Sequence, residues 1–260
     1  MILSRILLAA AFACLSIGLP EIASAKPMQL TTSDGQQLQG NMTGRGTHGV
    51  LLIHGRNSSG AAWKLFAEKL VAKGYRVLAL DLRGHGESST ATANDDSVFP
   101  LMVHDLQAGL KALKTYKVKS ISIVGADIGA NLALHAAAEE SVVTNVALLS
   151  PGINIKGILA SAPISKMGER PVLLAASEQD NYAKRSVTFL SSKAPGIKQL
   201  ILSEGDANGI RMMDEDPGLE DSVLNWVAGN YGAAASSEQD QSIRTGDVQE
   251  MKSTGKSFGE

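Results

Sequence analysis

From residue 50 onward one pattern recurs: a short unbroken apolar run, then a longer stretch with apolar residues at helical spacing. Val50-Leu51-Leu52-Ile53 is the first run, and residues 61–73 follow it with Trp63, Phe66, Leu70 and Val71 on one helical face and Gly74 as C-cap. Further runs at 76–80, 120–124, 144–149, 171–175 and 198–202 alternate with helical stretches at 101–116, 128–140, 182–192 and 217–231. An apolar strand without in–out alternation is buried on both faces. A chain that follows each such strand with an amphipathic helix therefore builds a parallel sheet covered by helices on both sides. Ahead of this pattern, two alternating stretches around Ser33-Asp34-Gly35 predict a hairpin within 28–43. Residues 150–170 form an irregular excursion.

Both ends fall outside the pattern. Arg5, the apolar run from Ile6 to Leu19 and the small-x-small Ala23-Ser24-Ala25 read as a signal peptide over residues 1–25, removed on export to a periplasm or the medium. The apolar run is shorter than the roughly 20 residues of a membrane span. Ala11-Phe12-Ala13 before Cys14 makes a poor lipobox. Cys14 is the single cysteine, so the expected mature chain has no disulfide, thiolate metal site or cysteine nucleophile. Residues 26–232 then form one domain. Residues 233–260, rich in Ser, Gln, Asp, Gly and Lys, are expected to be disordered, because they have too little apolar surface to offset ordering entropy. A net charge of −2 gives no reason to expect nucleic acid or an anionic membrane as partner, and no cofactor motif stands out.

Three motifs stand at strand ends: Leu52-Ile53-His54-Gly55-Arg56-Asn57, then Asp81-Leu82-Arg83-Gly84-His85-Gly86-Glu87-Ser88, then Val124-Gly125-Ala126-Asp127-Ile128-Gly129-Ala130-Asn131. In this order and spacing they resemble the α/β-hydrolase superfamily, and most of all its small bacterial members of the serine esterase and acyl-hydrolase kind. The resemblance covers nearly all of the expected mature chain. It implies an α/β-hydrolase fold with a mostly parallel sheet of about eight strands and no large cap domain. It also assigns the site. The third motif is the nucleophile elbow, with Gly125 and Gly129 where strand and helix backbones nearly touch, but Asp127 replaces the family's serine. Asp180, in Ser177-Glu178-Gln179-Asp180, falls on the triad acid. Asn208, in Gly205-Asp206-Ala207-Asn208-Gly209, falls on the triad histidine. The oxyanion hole would use the backbone N–H of Ile128 and that of Arg56 or Asn57.

These replacements remove the proton-transfer chemistry. An asparagine amide accepts no proton at neutral pH, and none of the five histidines lies after His135. Loss of a whole triad costs on the order of 10⁶ in turnover. A carboxylate at position 127 would also compete for the oxyanion donors. The expectation is a degenerate hydrolase, with Asp127 kept because aspartate tolerates an elbow's positive φ and caps a helix N-terminus, and with a cleft that takes a small-molecule ligand or protein partner. The alternative is a hydrolase with Asp127 as nucleophile, as in haloalkane dehalogenases and epoxide hydrolases, which resemble this fold but use a late histidine and a helical cap. A third reading gathers Asp127, Asp180, Asp206 and Asn208 as oxygen ligands for a cation. Among the histidines, His54 is expected to support its loop, His85 and His104 to be structural, and His135 to lie roughly 12 Å along its helix from position 127.

Overall fold

The computed structural model describes residues 25–88 and 96–232; residues 1–24 of the expected signal peptide and the whole expected tail lie outside the described residues. The expected hairpin is present as β1 (Lys26–Thr31) and β2 (Gln37–Thr43), paired antiparallel. The apolar runs form β3 (His48–Ile53), β4 (Arg76–Leu80), β5 (Ser120–Ala126), β6 (Val143–Leu149), β9 (Val172–Ser177) and β10 (Lys198–Ser203). Together they make an eight-stranded sheet in the order β1-β2-β4-β3-β5-β6-β9-β10. From β4 to β10 every neighbouring pair is parallel, and β2 joins β4 antiparallel.

The helices are α1 (Lys64–Ala72), α2 (Val103–Thr115), α3 (Ile128–Glu139), α5 (Asn181–Lys193) and α7 (Pro217–Val227). Alternate strand residues feed two apolar layers. Leu51, Ile53, Ile123, Leu148 and Leu174 pack with Leu110 of α2, Leu132 of α3 and Val187 of α5. Leu52, Val124, Ala147 and Leu173 pack with Phe66 and Leu70 of α1 and with Leu219, Val223 and Trp226 of α7. This two-sided burial is why the strands read as unbroken apolar runs.

The excursion after β6 is more ordered than its sequence suggests. It holds a two-stranded hairpin, β7 (Asn154–Ile155) with β8 (Ile158–Leu159), and the short α4 (Ser161–Ser165). Buried Asn131 of α3 fixes it: its Nδ2 donates to the carbonyls of Gly152 (2.9 Å) and Ile158 (2.7 Å), and its Oδ1 accepts from Gly152 N–H (3.1 Å). Another short helix, α6 (Arg211–Glu215), precedes α7.

A buried ion cluster ties the N-terminal hairpin to the domain. Arg83, after β4, is 2% exposed. Its Nε donates to Asp105 Oδ1 of α2 at 2.8 Å, and its Nη1 and Nη2 donate to the two oxygens of Asp34 in the hairpin turn. Its backbone N–H also donates to Asp105 Oδ2. Burial works against the Arg83 charge, and the bonds to Asp34 and Asp105 more than offset it. Asp34 is held far below the usual carboxylate range by Arg83, whereas burial pushes Asp105 up.

Candidate active site

The elbow has the geometry its glycines foretell. A Cβ on Gly125 would lie 2.3 Å from the carbonyl oxygen of Gly129, and one on Gly129 would lie 2.5 Å from that of His54. Strand β5, helix α3 and the end of β3 therefore meet backbone to backbone. Asp127, the residue between, has φ +52° and ψ −120°, the positive φ expected of it. Its N–H bonds Leu149 O of β6 at 2.9 Å, and its carbonyl accepts from Ala130 N–H.

The carboxylate of Asp127 does not do what the sequence suggests. Asp127 stands at the N-cap position of α3, but its side chain makes no cap hydrogen bond. It turns instead to Arg56, in the loop after β3. Arg56 Nε donates to Oδ2 at 2.8 Å and Nη2 to Oδ1 at 3.0 Å, a two-pronged ion pair. The backbone N–H of Arg56 also donates to Oδ2 at 3.0 Å. The guanidinium bonds to Asp127 in turn keep the Arg56 pKa above its ordinary value. The contact is close because Gly55 lets it be: a Cβ there would stand 2.9 Å from Cβ of Asp127. A backbone donor expected in the oxyanion hole is therefore engaged by the residue at the nucleophile position. Asn57, the other candidate from this loop, is exposed with φ +57°. Ile128, the third, opens α3 and is buried.

The other two residues expected at triad positions are not joined to Asp127. Asp180 caps α5, its Oδ1 accepting from Ala183 N–H at 2.9 Å. Asn208 is exposed, and its side chain makes no hydrogen bond with the described residues. Its loop does approach the elbow: a Cβ on Gly209 would lie 3.4 Å from Ala126 Cβ. Ser150 at the end of β6 holds that loop, and sequence reasoning passed it over. Ser150 is buried with φ +52°; its Oγ accepts from Gly209 N–H at 2.9 Å and donates toward Met212 Sδ at 3.1 Å.

The five histidines have other partners. His54 is fully buried; its Nδ1–H donates to Gly55 O at 2.7 Å and its Nε2 accepts from Leu82 N–H at 3.0 Å. Both ring nitrogens thus hold neighbouring loops, in the supporting role expected of it. Burial, opposed by the Gly55 bond, takes its pKa down to about 4. His85 bonds Arg83 O, His48 bonds Ser120 and Ser122, His104 bonds Ser33, and His135 bonds Leu159 O. None bonds Asp127, Asp180 or Asn208. The cation reading fails on the same geometry. Asp127 is committed to Arg56 and Asp180 to its helix, and no group of three or more metal-ligating His, Cys, Asp or Glu side chains occurs among the described residues. A cavity of about 400 Å³ lies between α1 and the α6–α7 segment, lined by Leu65, Phe66, Ile210 and Met213; Asp127, Asp180 and Asn208 do not line it.

The sheet order, the backbone-tight elbow after β5 and the late loops after β9 and β10 define an α/β-hydrolase fold, and the chain is similar to hydrolases and esterases that share it. The family model described as alpha/beta hydrolase fold matches residues 50–167, which include Asp127 and stop before Asp180 and Asn208. Mouse protein phosphatase methylesterase 1 is 31% identical over 94 residues, 36% of this chain and 24% of that one. A 2-hydroxy-6-oxononadienedioate/2-hydroxy-6-oxononatrienedioate hydrolase of Paraburkholderia xenovorans is 31% identical over 118 residues, 44% of this chain and 39% of that one. The match thus spans about a quarter of the length of the methylesterase. Among solved structures, an esterase of Pyrococcus furiosus superposes with a TM-score of 0.66 at 21% identity, over 79% of this chain and 90% of that one. An esterase of Exiguobacterium antarcticum gives 0.64 at 14% identity, over 78% and 100%.

Proposed function

We propose that this protein is an exported, catalytically degenerate α/β hydrolase, related to serine esterases and acyl hydrolases, that keeps a ligand- or partner-binding role at the carboxyl ends of its strands. The observation that carries the reading is the clamp of Arg56 on Asp127. An oxyanion hole works when its donors point at empty space in which charge will develop. Here the Arg56 N–H already points at a carboxylate, whose charge would repel a developing oxyanion. Asn208 cannot relay a proton, and the histidines are engaged elsewhere.

The same clamp weighs against Asp127 as nucleophile. Both its oxygens accept hydrogen bonds from a guanidinium, which lowers their nucleophilicity, and no imidazole stands beside it to activate a water for release of an ester intermediate. Export rests on the sequence of residues 1–25.

The test is intact-mass and turnover analysis with a p-nitrophenyl ester series, a chloroalkane and an epoxide. The expected result is no covalent adduct and no sustained product. An adduct on Asp127, or steady release, would overturn the reading. The double variant Asp127→Ser with Asn208→His is expected to gain esterase activity, since it restores nucleophile and base and frees the Arg56 N–H; Asp127→Ser alone is expected to gain far less.

A further inference from the structure

Strand β10 ends the sheet, with one side unpaired among the described residues. On the β9 side the carbonyls of Ile197 and Ser203 accept from Val172 N–H and Glu178 N–H. Backbone direction alternates along a strand, so the N–H and C=O groups of Lys198, Leu200, Leu202 and Glu204 face away from β9. Side chains here are not those of a well-protected edge. Leu200 is 41% exposed and Ile197, just before the strand, 52%; Phe189 on the overlying α5 is also exposed. An exposed edge with apolar side chains is a template for another strand.

The strand is complementary to itself. If two copies pair antiparallel about a two-fold axis at Ile201, every outward-facing backbone group meets an outward-facing group of the other strand. In that register Leu200 lies opposite the partner's Leu202, and Lys198 lies opposite the partner's Glu204, at both ends. Glu204 is exposed and makes no ion pair with the described residues. Lys198 Nζ donates to Ala194 O at 3.2 Å, which leaves two of its three N–H groups for a carboxylate. Shifting the axis by one residue either way loses this match of charges or places Leu200 against a glutamate. We propose that β10 is a homodimer edge: two copies join antiparallel through it into one continuous sheet, in the register set by Lys198 with the partner's Glu204. The strand is six residues long. The contact is therefore smaller than the roughly 1,200–2,000 Å² of a stable interface, and association in the micromolar range is expected.

Sedimentation velocity of the full-length exported protein over a concentration series tests this. A reversible monomer–dimer equilibrium is expected, and Leu200→Asp should abolish it. Lys198→Glu places glutamate against glutamate twice and should weaken dimerisation about tenfold or more. Lys198→Glu with Glu204→Lys should restore it to near the wild-type value. Equimolar mixing of the Lys198→Glu chain with the Glu204→Lys chain should give a heterodimer tighter than either homodimer. These substitutions are exposed, and an unchanged melting temperature for each confirms folding. A protein that stays monomeric through the micromolar range overturns the proposal. So does a dimer indifferent to Leu200→Asp, or one in which the charge swap fails to rescue. A monomer that dimerises only after removal of residues 233–260 would place the tail on the edge instead, and equally overturns it.

Discussion

Lowering the pH from 7 to 4 should destabilise this protein through His54. In the fold the ring is fully buried, and Nε2 must stay unprotonated to accept from Leu82 N–H. Its pKa is down to about 4, against the ordinary 6.5 that applies once the chain unfolds. The folded pKa is depressed, so the unfolded state binds the proton first. Stability is fully present above pH 6.5 and drains away as the pH falls toward 4. At about 1.4 kcal/mol per pH unit, the interval amounts to about 3 kcal/mol. Burial lowers the pKa of His48 too, which adds loss in the same direction, and raises that of Asp105, which works in the opposite one. The His54 share is therefore read as a difference. Urea unfolding of the wild type and of His54→Gln should be followed from pH 7.5 to 4. Glutamine can still accept from Leu82 N–H and does not titrate. The variant should be less stable at pH 7 by about 1–2 kcal/mol, with the donor to Gly55 O lost, but should have a flatter pH profile, so that the curves cross at about pH 5–6 and the variant is the more stable of the two near pH 4. Parallel curves would refute the assignment.

Two stability predictions follow from backbone and charge packing. Gly125→Ala sets a methyl 2.3 Å from a carbonyl oxygen that cannot swing aside, and should cost about 3 kcal/mol or more in the urea midpoint. Arg83→Met strands the fully buried Asp105 without its counter-charge and should cost about 3–5 kcal/mol, most of it recovered when Asp105→Leu is added.

The fold was legible in the sequence because burial on both faces writes itself as unbroken apolar runs; 50–53 and 120–124 read directly as β3 and β5. The elbow was legible because only glycine allows backbones so close at 125 and 129. What stayed hidden depends on contacts across long stretches of chain. Arg56 and Asp127 are 71 residues apart, and nothing local says that the carboxylate prefers a guanidinium to the helix end it stands on. The resemblance singled out Arg56 for its N–H, whereas its side chain decides the chemistry. Arg83 stands in the second motif, Asp34 in the expected hairpin turn and Asp105 in a stretch expected to be helical, and only the fold gathers them around one buried guanidinium. The small hairpin β7–β8 escaped because its strands are two residues each, too short to show a period.

The glycines on either side of Asp127 separate two demands that most active sites place on the same residues. Gly125 and Gly129 carry the tight crossing of β5 and α3, and Gly55 makes room for whatever stands at 127. Position 127 needs only a residue that accepts a positive φ. The architecture therefore places few demands on what it displays: the group at the sheet's apex can change one codon at a time while the scaffold beneath it stays folded.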